Sequence, residues 1–438
     1  MASFKKKLNP LFPEKEPSKW HYGILYLFLA LWMQGEAFLN ILWPLLLLIS
    51  IPYISYAFES IKPHRWLWVS VAVYLGARLL SLTFAMDTKL ALYGITDDLR
   101  IFTIGLLLLS LIRTGEQLKY SMMATLGGFG VLAWHVLLQH WLTTHSFAPT
   151  SNIEFGSLAD VNYAAAFTSV VLFSLLIASR HVPIRWQAAI ALVAVPLCVM
   201  LTPLGSRTAI LLLATAIAGY LILKRPSWIA TGLILSSVIL TFSVLSQTNS
   251  LGQFKAVENP LERSTIYNRI DIWKTLFHVW KEHPLGIGPR NFASINLNQY
   301  REWIQQNIPL TARDLYGEKA MNNGLKEINL NEINHYVSDP HNHYVALLAE
   351  SGPIALLAFL SFLLAASVTA ICHSFSRSSW TSGFGEAATG GLFLMSGSAI
   401  MASVFYQSGG VITIILIGFL LASISIHGTE QKREIGEN

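Results

Sequence analysis

Charge and cysteine are what this sequence has least of. Asp, Glu, Lys and Arg make up 13% of 438 residues, and there are two cysteines. An ordinary soluble domain carries about 25% charged residues, so the composition argues against a soluble single-domain enzyme. Two cysteines cannot make a disulfide scaffold, and no low-complexity tract or internal repeat interrupts the chain, which sets aside disorder and a coiled coil. What is abundant is apolar: 53% of residues are hydrophobic, mean hydropathy is +0.48, and there are 13 Trp, 15 Tyr and 23 Phe. That balance describes an all-α polytopic membrane protein with aromatic residues crowded at the two interfaces. The formal charge of +5 then matters less than where Lys and Arg fall.

A membrane-crossing helix needs about 20 predominantly apolar residues. The sequence contains about twelve such stretches, at 20–35, 37–58, 66–86, 99–112, 118–142, 162–179, 183–202, 208–223, 227–246, 343–372, 386–405 and 410–426. The first two are divided at Gln34-Gly35-Glu36, a polar triplet suited to a turn, and Arg100 is expected at the edge of the fourth. With the N-terminus inside, the inner segments hold sixteen basic residues between Lys5 and Arg433, and the short outer loops hold only Lys89, Arg100 and Arg207. This asymmetry predicts cytoplasmic termini. The organisation is then a leader (1–19), nine spans (20–246), one large, partly helical outer loop (247–340), three spans (341–426) and a cytoplasmic tail (427–438). The loop carries ten basic and ten acidic residues, and long loops cross with little regard to charge. The first apolar run follows a polar leader without a small-residue cleavage pattern, so the first span is expected to be its own targeting signal. Cys198 and Cys372 fall near opposite ends of the bilayer, too far apart to bridge.

Ionisable groups in a membrane protein are costly and tend to mark function, and three outer segments carry them. In Pro203-Leu204-Gly205-Ser206-Arg207-Thr208, Arg207 sits at the mouth of a helix hairpin, where a helix N-terminus favours anions; a snorkelling arginine is the plain alternative. In Glu262–Lys281, Ile266, Ile270, Trp273, Phe277 and Trp280 recur at helical spacing and describe an amphipathic helix on the outer surface. Arg269, one turn before Trp273, edges onto its apolar face, and Arg263 lies on another. The following Gly286-Ile287-Gly288-Pro289-Arg290-Asn291 suits either a phosphate cradle of backbone N–H groups or a helix-ending turn. The third segment, Asp339-Pro340-His341-Asn342-His343-Tyr344, leads into a span that carries Glu350 about two and a half turns on. Histidine suits general-base work near neutrality. Zinc is disfavoured, because the pair lacks helical ligand spacing and a third ligand.

Taken together these segments resemble the O-antigen ligase family. His341-Asn342, nine residues and Gly352 look like its His-Asn/Ser/Gln-x9-Gly signature, with Ala355 departing mildly from the small or aromatic residue that follows. Gly205-Ser206-Arg207 is similar to its Ser-Arg turn. Arg269 and Trp273 followed by Pro284-Leu285-Gly286-Ile287-Gly288 resemble its "Arg, Trp, P-x-G-x-G" segment. Phe155-Gly156 through Asp160-Val161-Asn162-Tyr163-Ala164-Ala165 resembles the start of its middle span. The superfamily also contains O-antigen polymerases and protein O-oligosaccharyltransferases. The resemblance implies a metal-independent glycosyltransferase of the bacterial inner membrane with its active site facing the periplasm. Its donor is an undecaprenyl diphosphate-linked glycan and its acceptor, in the ligases, a sugar of the lipid A core, for lipopolysaccharide biosynthesis. The donor is already activated, so no cofactor is called for. On this resemblance Arg207 and Arg269 hold the diphosphate and His341 is the base, with Arg263, Arg290, Asn342 and His343 as possible supporting residues. In a helix beginning near Pro340, His341 and His343 would face opposite ways. A transporter of the same lipid-linked glycan is the competing class. It would carry charges along a buried path, and Arg78 is the one clear mid-span charge in the sequence.

Overall fold

The computed structural model describes residues 16–145, 161–183, 186–204, 206–224, 265–307, 340–376, 379–400, 402, 405 and 408–435. The expected span at 227–246, most of the large loop, Arg263 and the Phe155–Asp160 motif lie outside them. Among the described residues there is no strand, and the chain is a bundle of helices.

The bundle runs α1 (Lys19–Leu31), α2 (Glu36–Ser50), α3 (Ile54–Ile61), α4 (Arg65–Ser81), α5 (Thr88–Leu111), α6 (Gly115–Thr144), α7 (Val161–His181), α8 (Gln187–Leu204) and α9 (Arg207–Lys224). After the gap come α10 (Thr265–Glu282), α11 (Arg301–Asn307), α12 (His343–Ser374), α13 (Ser379–Ser398) and α14 (Ser408–Ile435). The polar triplet does separate α1 from α2. The expected single span at 37–58 is instead interrupted by a 3-10 turn at Ile51–Tyr53, because Pro52 lacks the N–H that would continue the ladder. The stretch at 99–112 is the second half of a longer helix. Asp87 caps α5 by accepting from the N–H groups of Lys89 and Leu90, so Arg100 lies inside the helix, held by Asp97 one turn before it (2.8 Å). The stretch at 386–405 ends as a helix at Ser398.

Among the described residues, five segments are long and apolar enough to cross a membrane: Glu36–Phe84, Gly115–Thr144, Ala164–His181, His343–Ser374 and Gly410–Thr429. Gln187–Leu201 and Thr208–Leu221 are shorter apolar helices. Cys198 and Cys372 form no disulfide.

The kinked helix α12 packs on α4, α10 and α13, and α13 in turn packs on α7, α9 and α14. Lipid tails are as apolar as leucine, so packing and hydrogen bonds rather than the hydrophobic effect hold such helices together. Trp32, fully buried, meets Phe129 and Phe167 edge-on. A second, smaller core lies at one end of the bundle, where Ile272, Leu276 and Val279 of α10 pack with Ile287, Phe292, Ile295, Tyr300, Ile304 and Ala349.

Candidate functional site

α12 begins at His343, later than Pro340, because Asn342 is its N-cap: the Asn342 Oδ1 accepts from the N–H groups of Tyr344 and Val345, both at 3.0 Å. An asparagine in extended backbone satisfies two of the helix's orphan donors in this way. His341 therefore stands outside the helix, half-buried, with φ of 50°. Left-handed backbone costs a non-glycine residue about 1–2 kcal/mol and persists where the surroundings impose it. Here both neighbours are fixed. The carbonyl of Pro340 accepts from Trp273 Nε1 (2.9 Å), and Asn342 is committed to the cap.

His343 sits differently. It is 2% exposed, and its ring packs between those of Phe359 and Phe405, each 5.2 Å away. Its N–H donates to the Ala399 carbonyl (2.9 Å) beyond the end of α13.

Two and a half turns further, α12 breaks. Gly352 has φ 74° and ψ −179°, and Pro353 follows, a backbone region open essentially to glycine alone. Pro353 has no N–H for the Ala349 carbonyl, and the break takes the Glu350 carbonyl out of the ladder as well. Both are satisfied from outside: Ile287 N–H donates to Ala349 O (3.1 Å) and Gly288 N–H to Glu350 O (2.9 Å). The two segments approach so closely that a Cβ on Gly286 would lie 2.2 Å from Glu350 O, and one on Gly352 would lie 2.8 Å from Pro284 O. The glycines of 284–288 and the glycine eleven residues after His341 are thus two halves of one junction.

The 286–291 turn is consequently no phosphate cradle. Gly286 N–H caps the end of α10 at His283 O (2.8 Å), and the N–H groups of Ile287, Gly288 and Asn291 all donate to protein carbonyls. Asn291, fully buried, accepts at Oδ1 from the Asp87 N–H (2.5 Å) and donates from Nδ2 to the Asp87 carbonyl (3.1 Å). Arg290 reaches Asp97 (2.5 Å).

Helix α10 spans nearly the expected stretch but turns a different face inward. Ile272, Leu276 and Val279 are buried, whereas Phe277 is 44% exposed. Trp273 spends its indole N–H on Pro340. Arg269 is half-buried and lies three and four residues before Ile272 and Trp273, on the side of α10 turned to α12. At the other, C-terminal end of α10, burial and the nearby Glu282 raise the Tyr300 phenol above its ordinary pKa, so it stays protonated. Arg207 is the first residue of α9. Leu212, further along α9, lies against Gly397, next to Ser396, whose carbonyl accepts from the Tyr344 hydroxyl (3.0 Å). The start of α9, the start of α12, the histidine turn and α10 are gathered at one end of the bundle.

Sequence reasoning found Arg78 but missed its partners. Arg78, 1% exposed, donates from Nε to Asp98 (2.7 Å) and from Nη1 to Glu350 (2.9 Å) and Ser351 Oγ (3.1 Å). A charge inside an apolar bundle needs such a partner, which could have directed attention to Asp97-Asp98. Beside the cluster a cavity of about 20 Å³ is lined by Tyr74, Asp98, His343 and Thr413 among aromatic and aliphatic side chains, room for about one water. No group of three or more His, Cys, Asp or Glu among the described residues could hold a metal ion.

Residues 190–360 match the O-antigen ligase family model. The matched stretch contains the Arg207 turn, α10, the 284–288 segment and the His341–Gly352 run, and it supports the superfamily that these motifs resemble. No curated protein matches the chain.

Proposed function

We propose that the chain transfers a glycan from undecaprenyl diphosphate to a sugar hydroxyl of the lipid A core, acting as an O-antigen ligase at the periplasmic face of the bacterial inner membrane. In this reading the chain crosses the membrane about twelve times and residues 247–340 are periplasmic. The observation that carries it is the junction between the two halves of the family pattern. Pro284–Gly288 bonds to the carbonyls freed at Gly352 while Trp273 bonds to Pro340, so the arginine-bearing helix and the histidine turn are held to one another.

The chemistry follows from the donor. The acceptor hydroxyl oxygen attacks the anomeric carbon, the bond from that carbon to the diphosphate oxygen breaks, and the hydroxyl proton passes to His341 Nδ1 or Nε2 and then to water. Undecaprenyl diphosphate leaves with the bonding pair. Arg207 and Arg269 hold the diphosphate, because a guanidinium binds phosphate oxygens with two parallel N–H groups and stays charged at any working pH. Such fixed donors contribute about 10²–10³-fold each, and a positioned base about 10²–10⁴-fold.

An O-antigen polymerase or a protein O-oligosaccharyltransferase would use the same donor chemistry and differ in the acceptor. The transporter reading calls for a buried charged path. The buried charges at Arg78, Asp98 and Glu350 are bonded to one another, and the cavity beside them is of water size.

The test is reconstitution of the purified chain with undecaprenyl diphosphate-linked glycan and lipid A-core in EDTA. Transfer to the core supports the proposal. Growth of the lipid-linked glycan in place of transfer identifies a polymerase, and activity that disappears in EDTA and returns with a divalent ion removes the metal-independent mechanism.

A further inference from the structure

The buried charges do not end at Arg78. Asp98 has Asp97 as its chain neighbour, and Asp97 is bonded to Arg100 (2.8 Å) on α5 and to Arg290 (2.5 Å) in the turn after α10. Two clusters thus meet at neighbouring positions of α5, Glu350–Arg78–Asp98 inside the bundle and Asp97 with Arg100 and Arg290 beside it, and together their three arginines and three carboxylates connect α4, α5, α12 and the 284–291 segment. Glu350 is gripped on two sides. Its carboxylate is on Arg78 from within the bundle (2.9 Å), and its carbonyl accepts from Gly288 outside (2.9 Å). It stands two residues before the break at Gly352.

We infer that Arg78 is a positioning residue for the histidine turn. It sets the angle of the short arm of α12, residues 343–351, against the 284–291 segment, and so the place of His341 at the arm's far end. The catalytic consequence rests on the transfer reading above; the mechanical one does not. The arm is nine residues, about 13 Å at 1.5 Å per residue, so a tilt of about 10° at the hinge displaces its far end by about 2 Å. Misplacing a catalytic group by about 1 Å costs on the order of 10²-fold. Two carboxylates are bridged by different nitrogens of one planar fork, and the single ammonium of lysine cannot reproduce that.

Removing one member strands buried charge, so the variant of choice is R78M/D98N/E350Q, which removes the inner charges together. R78K, which keeps the charge and loses the fork, is its companion. With Cys198 and Cys372 replaced by serine, nitroxides at the exposed Lys89 and Glu282 measure α5 against α10, which is bonded to the turn through Trp273. In the folded triple variant the distance distribution shifts or broadens by about 2 Å, and kcat falls about 10–100-fold while donor KM stays within about threefold. An unchanged distribution together with kcat within about twofold of the parent overturns the inference. Should the triple variant not fold, R78K decides it: a distribution identical to the parent's overturns the proposal. If the parent itself transfers no glycan, the transfer reading fails, and the nitroxide distances still decide whether Arg78 positions the turn.

Discussion

His341 and His343 are two residues apart, yet one stands in a strained turn at the end of the bundle and the other is walled by Phe359 and Phe405. Substitution of each should therefore fail in a different way. His341→Ala is expected to fold, bind donor and lose transfer by about 10²–10⁴-fold, the usual contribution of a general base. His343→Ala empties a buried aromatic site and is expected to lower stability by about 2–4 kcal/mol while the folded fraction keeps its kcat. Thermal unfolding and single-turnover transfer on the same samples separate the two effects, and inactivity confined to the folded His343 variant would reverse the roles. For Arg207 and Arg269, Arg→Lys keeps the charge and loses the planar fork. A fall of about 10²-fold in kcat is expected at each, and near-normal rates in both lysine variants would remove bidentate diphosphate binding from the mechanism.

At the scale of the element, the nine residues between Asn342 and Gly352 measure one capped helical arm, from its N-cap to its break. Gly286 and Gly352 hold positive φ of 92° and 74°, and each faces opposing backbone at a distance no Cβ tolerates. Gly352→Ala and Gly286→Ala are each expected to destabilise by about 1–3 kcal/mol from backbone strain alone, and by more from the clash. Gly23→Ala on α1, where a Cβ meets nothing within 4 Å, is the control. Melting temperatures in detergent check this, and parity with the control would mean that the junction opens without cost. The direction of α10 belongs to this scale as well. Its helical period was legible, but which apolar stripe turns inward was not, because Phe277 and Ile272 are equally apolar to a periodicity argument and only the presence of α12 distinguishes them.

For the whole molecule, the placement of basic residues predicts that 247–340 faces the periplasm and both termini the cytoplasm. In the cysteine-free chain, a single cysteine at Lys281 or Glu302 should react with an impermeant maleimide applied to intact spheroplasts, and one at Lys224 or Arg225 should not. The reverse pattern would overturn the topology and with it the periplasmic site.

Apolar run lengths, the Gln34–Glu36 break and the order of the motifs follow from the sequence alone, because they depend on local composition and on backbone constraints that act over a few residues. The helical class of the chain was legible for the same reason, whereas Arg207, Arg269 and His341 are candidates through the family resemblance of their motifs. Tertiary structure decided the rest. That Pro284–Gly288 satisfies the carbonyls freed at Gly352, and that Arg78 finds Asp98 and Glu350, twenty and 272 residues away, both depend on groups distant in sequence. A buried polar group must find a partner, but that requirement does not specify which one. Only the packing of α4 against α12 and α5 makes the choice.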